Sequence, residues 1–99
     1  MRTLLKVTIP VETGNRTIQD GTLSGVMDQM MNRIKPEAAY ALTEDGKRTV
    51  LIFFDMKDPS EIPPIAEPFF MKLNAAVQFS PVMNPQELQA GLGKAAKDF

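Results

Sequence analysis

Three ionisable side chains are placed where they could move a proton: Lys6, Asp55 and Glu67. The chain contains no His and no Cys. Imidazole acid–base catalysis, Ser-His-Asp triads, His-ligated metal sites, thiolate nucleophiles and disulfides are therefore excluded. Lysine and carboxylate groups are what remains for general acid–base work. A hard cation held by carboxylates alone stays open chemically, but no motif points to one, and neither a metal nor a cofactor is expected. No glycine-rich phosphate loop is present: Gly91 and Gly93 lie in "GLGK" without the strand-to-helix setting such a loop needs.

Lys6 falls near the start of one strand pattern and Asp55 near the end of another. On antiparallel neighbours both belong to the less apolar face, where they can approach. The pair reads either as a cross-strand ion pair or as a polar group at a ligand cavity. Glu67 sits in "IPPIAEPFF", off the apolar stripe of a helix interrupted by prolines. It reads either as a solvated carboxylate on a bent helix or as a base beside a cavity opened by the bend. The candidate ligand-binding residues are Tyr40, Phe53, Asn74 and Gln78. Tyr40 is the only tyrosine and carries both an apolar ring and a hydrogen-bonding hydroxyl. Asn74 and Gln78, with Ser80, lie on or beside the last strand pattern.

These residues are carried by a short series of elements. "TLLKVTIPV" alternates, with Leu5, Val7, Ile9 and Val11 on one face, and predicts a strand over Thr3–Val11. The following "ETGNRTIQDG" predicts a loop. "TLSGVMDQMMNRIK" has the 3-4 spacing of an amphipathic helix, with Asp20 as its N-cap and Pro36 as its stop. Its methionine stripe reads as core packing, with an adaptable binding surface as the alternative. Asp45-Gly46 joins strands over Ala38–Thr43 and Arg48–Met56 into a hairpin. The second of these is apolar on both faces, which predicts a central strand covered on both sides. Ile62, Ile65, Ala66, Phe69, Phe70 and Leu73 predict a second helix, capped by Ser60 and kinked near Pro64–Pro68. A strand over Ala76–Val82 follows. Asn84, Pro85 and Glu87 then open a short helix running to about Ala95.

The 99 residues predict one domain, residues 1–99. The order β-α-β-β-α-β plus a terminal helix is the α+β ferredoxin-like arrangement: a four-stranded antiparallel sheet with both helices on one face. The other face would then expose Leu4, Leu51 and Phe53, which predicts a homodimer, sheet against sheet, with cover by the terminal helix as the alternative. Order, size and half-apolar open sheet resemble the dimeric α+β barrel superfamily, which includes antibiotic-biosynthesis-type monooxygenases and muconolactone-isomerase-like proteins. "KPEAAYALTEDGKRTVLIFFDM", "IAEPFF" and "PVMNPQEL" are most similar to its small uncharacterised bacterial members. The resemblance implies the fold and the dimer. The His and Trp of some monooxygenase members have no counterpart, since the chain has neither.

The net charge of −1, with 23% charged and 43% hydrophobic residues, gives no basic footprint for nucleic acid. No stretch reads as a signal peptide or a membrane span, and the lack of cysteine fits a cytoplasmic protein. The leading expectation is a homodimer that binds a small, largely apolar ligand between sheet and helices. The alternatives are a cofactor-independent isomerase or monooxygenase-like enzyme, and a structural or interaction protein without a ligand. Whether the chain is an enzyme is left open by the sequence.

Overall fold

A computed structural model describes residues 1–99. The chain forms β1 (Arg2–Ile9), α1 (Val11–Gln19), α2 (Thr22–Ile34), β2 (Ala38–Glu44), β3 (Lys47–Asp55), α3 (Ile62–Leu73), β4 (Ala76–Pro81) and α4 (Pro85–Ala95). The fold is α+β. The four strands make one open antiparallel sheet in the order β2-β3-β1-β4, compatible with the expected ferredoxin-like arrangement.

Period-two alternation decides which side chains are covered. β1 and β3 pair with Leu5 opposite Ile52 and Val7 opposite Val50. Together with Ile9 and Phe54 these residues face the helices, and of the six all but the partly covered Val50 are buried. α2 adds Val26 and Met30, and α3 adds Ile65, Phe69 and Leu73. The 3-4 spacing read from the sequence is the spacing of these buried positions.

The segment expected as a loop is instead the helix α1. Its buried stripe is Thr13, Gly14 and Thr17, not a row of large apolar residues. Hydrophobic periodicity is therefore silent here. The Thr17 hydroxyl donates to the Thr13 carbonyl at 2.7 Å, which satisfies a buried polar group inside the helix itself. Val11, expected at the end of β1, opens α1 and is exposed, because Pro10 cannot supply a ladder N–H.

Two caps also differ by position. Gly21, at φ 83°, is the residue before α2, while the Asp20 carboxylate accepts from the Thr22 N–H at 2.8 Å. Ahead of α3 the capping residue is Asp58, not Ser60. Its carboxylate accepts from the Ser60 N–H at 2.8 Å, and a single 3-10 turn, Pro59–Glu61, leads into the helix. Pro63 and Pro64 then occupy the first turn of α3, where a missing N–H costs little. Pro68 lies inside the helix, which continues through it to Leu73.

α4 begins as expected. The Asn84 side chain accepts from the Glu87 N–H at 2.8 Å, and the Glu87 carboxylate accepts from the Asn84 N–H at 2.8 Å. None of its residues is buried. The radius of gyration is 16.0 Å, against about 13 Å for a compact chain of this length. The terminal helix stands away from the body and stretches the molecule to 55 Å. No helix is long and apolar enough to cross a membrane.

Pro68 supplies a test of the packing account. Its ring deprives the Pro64 carbonyl of its helical donor. Pro68→Ala should stabilise the protein by about 2 kcal/mol, after allowing for the freer unfolded chain, read as a higher urea midpoint. An unchanged or lower midpoint would show that packing of the Pro68 ring offsets the lost helical hydrogen bond.

Candidate functional site

The main concavity lies on the helix side of the sheet, between α2 and the edge strand β2. It has a volume of about 430 Å³, within the range of small-ligand pockets, about 300–1,000 Å³. Leu23, Met27 and Met31 form one wall, one residue per turn along α2. Ala39 and Ala41 of β2 form the other, with Ile9 and Val50 between them.

The cleft has a simple origin. β2 turns Ala39 and Ala41 toward the helix side, opposite Ile52 and Val50. Two methyl groups cannot fill the space under α2, and both alanines stay exposed. The methionines contact the core on one side and line the cleft on the other. Their unbranched, polarizable side chains can adapt to an apolar occupant. The stripe expected as core packing thus does both jobs.

One charged residue, Arg48, lines the cleft. It lies opposite Ile9 and Thr43, on the helix side near the start of β3. Its Nη1 donates to the Val11 carbonyl at 3.5 Å. A Cβ added at Gly14 would meet Nη1 at 2.6 Å, so the glycine gives the guanidinium its room. Two alanines facing a methionine stripe are the signal by which this site could have been found in the sequence. No such signal marks Arg48, whose surroundings depend on α1.

Of the candidate ligand residues, Phe53, Asn74 and Gln78 occupy other places, while Tyr40 is among the residues that line the cleft along β2. Its ring meets Phe53 edge-on, centroids 6.4 Å apart at 75°. Both rings lie on the opposite, open face, since Phe53 alternates with the buried Ile52 and Phe54. Gln78 is exposed on that face, opposite Lys6. Asn74 ends α3 at φ 50° and donates its amide to the Thr13 hydroxyl at 3.3 Å, which ties α1 to α3.

The three proton-transfer candidates do not converge. Lys6 and Asp55 share the open face, but Lys6 sits opposite Leu51, four positions from Asp55. Lys6 instead bridges to Glu44 across β3. Asp55 is bound by Lys57 and by the terminal amine of Met1. The Lys57 hydrogen bond, followed by that of the amine, lowers the Asp55 carboxyl from 3.8 to about 2. Glu67 is exposed on α3. No cluster of three or more acidic side chains gathers at metal-binding geometry.

Two smaller, polar concavities flank Asp55. One, of about 270 Å³, is lined by Arg2, Lys35, Glu37, Phe54 and Asp55. The other, of about 260 Å³, lies between the end of α2 and the start of α3. Their charges already face one another, as in the Arg2–Glu37 contact of 3.5 Å. A scan against known family models and a search for similar curated proteins found no match.

The pH dependence of the Asp55 contacts follows from the sign of its shift. A carboxyl held lower in the folded state stabilises it above the unfolded value and loses that effect as the acid form takes over. The stability difference between the wild type and Asp55→Asn should be full above about pH 4. It should vanish as pH falls to about 2. Urea midpoints measured across that range check it; a difference independent of pH would contradict it.

Proposed function

We propose that the protein is a homodimer that binds a small, largely apolar molecule in the cleft between α2 and β2. The observation that carries the ligand reading is the cleft itself. Its walls are almost wholly aliphatic and thioether, and its size suits a small molecule. Adding the missing bulk to such a wall would remove water from apolar surface, the main source of affinity for a ligand of this kind.

The dimer reading rests on two further surfaces. On the open face Tyr40 and Leu42 are exposed, and Leu4, Leu51 and Phe53 are only partly covered. No helix of the same chain lies over them. α4 meanwhile presents Leu88 and Leu92, one turn apart and both exposed. A chain with an uncovered apolar face and an uncovered apolar helix can bury both against a second copy, closing two sheets into one barrel-like core as in the dimeric α+β barrel arrangement.

The neutral dye Nile red tests the ligand reading. It should bind the wild type with a blue-shifted emission. Ala41→Phe, a change suited to an edge strand, should fill the cleft and weaken binding by about tenfold or more, the equivalent of about 1.4 kcal/mol. Equal binding by both proteins would place the dye elsewhere and reject the cleft.

Light scattering tests the dimer. The wild type should run at twice the chain mass at micromolar concentration, and Phe53→Glu should run as a monomer. A monomeric wild type would overturn the sheet-to-sheet reading while leaving the cleft reading intact.

A further inference from the structure

We infer that the ligand of the cleft is an amphipathic carboxylate, an apolar chain or ring ending in one acid group, and that Arg48 binds that group. The inference rests on the cleft reading and adds its charge specificity.

Four observations converge on Arg48. First, its position is anomalous for its strand. The helix side of β3 is otherwise Val50, Ile52 and Phe54. A guanidinium there surrenders part of its hydration for no packing need that an aliphatic residue would not meet. Second, it has no counter-charge. The ion pairs of the fold use Met1, Arg2, Lys6 and Lys57 as cations, and Glu12, the acid in the first turn of α1, does not pair with it. Third, its donors are under-used. A guanidinium carries five N–H donors in a fixed fork, and here only Nη1 donates, to one carbonyl at 3.5 Å.

Fourth, the fold makes space for it. Gly14 lies inside α1, where a glycine costs about 0.5–1 kcal/mol relative to alanine. A Cβ at that position would collide with Nη1 and crowd Cδ at 3.3 Å and Cζ at 3.4 Å. The glycine therefore sits beneath the guanidinium. The result is an apolar trough lined by one positively charged side chain, Arg48, and by no acid. A carboxylate matches the guanidinium fork with two parallel hydrogen bonds, and the methionine wall takes the apolar remainder. A neutral apolar ligand would leave the Arg48 donors to water.

The test compares decanoate with decanol as competitors of Nile red, below their aggregation limits and at pH 8. The readout is the ratio of their affinities, which cancels the contribution of the shared chain. Arg48→Met should lower the decanoate-to-decanol affinity ratio by about tenfold. Arg48→Lys, which keeps the charge but loses the fork, should fall between. Gly14→Ala displaces the guanidinium without removing it and should lower the ratio in the same direction. Circular dichroism checks that each variant is folded, and Gly14→Ala and Arg48→Lys carry the test if Arg48→Met does not fold. A ratio unchanged in the folded variants would overturn the assignment of Arg48 while leaving the cleft standing. Failure of Nile red and both competitors to bind the wild type would overturn the cleft reading, and this inference with it.

Discussion

The antiparallel pairing of β1 with β3 sets Leu5 opposite Ile52 and Val7 opposite Val50, so alternate residues of both strands share one side of the sheet. A slip of one residue would send that set to the other face. The same register places Arg48 opposite Ile9, at the helix-side end of the sheet. It also places Lys6, Leu51 and Phe53 on the face without helices. The core, the cleft and the uncovered face therefore follow from one pairing. The hairpin then adds β2 outside β3 with Ala39 and Ala41 on the helix side, where the chain has too little bulk to complete the layer.

That deficit separates a structural gap from a site. In a small core, packing is normally dense and voids are costly. Here the gap lies at the sheet edge, open to solvent, so it costs little while empty. It borders α2, whose Val26 and Met30 are buried in the core and hold the helix in place. The Met27 and Met31 side chains, packed on the core on one side, are free to adapt only where they face the cleft. A fixed backbone with adaptable side chains suits recognition of an apolar molecule of variable shape.

Much of this architecture was legible in the sequence, for reasons that also mark the limit. β1, β3 and α3 bury large aliphatic and aromatic residues at regular intervals, so periodicity reveals them. The Asp45-Gly46 turn and the Asn84–Glu87 capping box each combine a residue type with a fixed backbone need, and both were readable. α1 was not, because Thr13, Gly14 and Thr17 bury a polar and small surface that no hydropathy pattern reports. Arg48 was missed with it, since its surroundings exist only once α1 folds over the end of the sheet. The ligand candidates fared similarly. Tyr40 and Phe53 were conspicuous by type, and alternation directs both rings to the open face, although Tyr40 also borders the cleft along β2. The alanines that shape the cleft were inconspicuous.

The apolar trough between α2 and β2 is proposed as a binding site with a charged contact at Arg48. The most direct measurement is a methyl NMR titration with decanoate on protein labelled at methionine, alanine and leucine methyl groups. The account predicts saturable shifts at Met27, Met31, Ala39 and Ala41, with Leu51 on the open face unmoved. Shifts confined to the open face, or none at the cleft at saturating ligand, would contradict it.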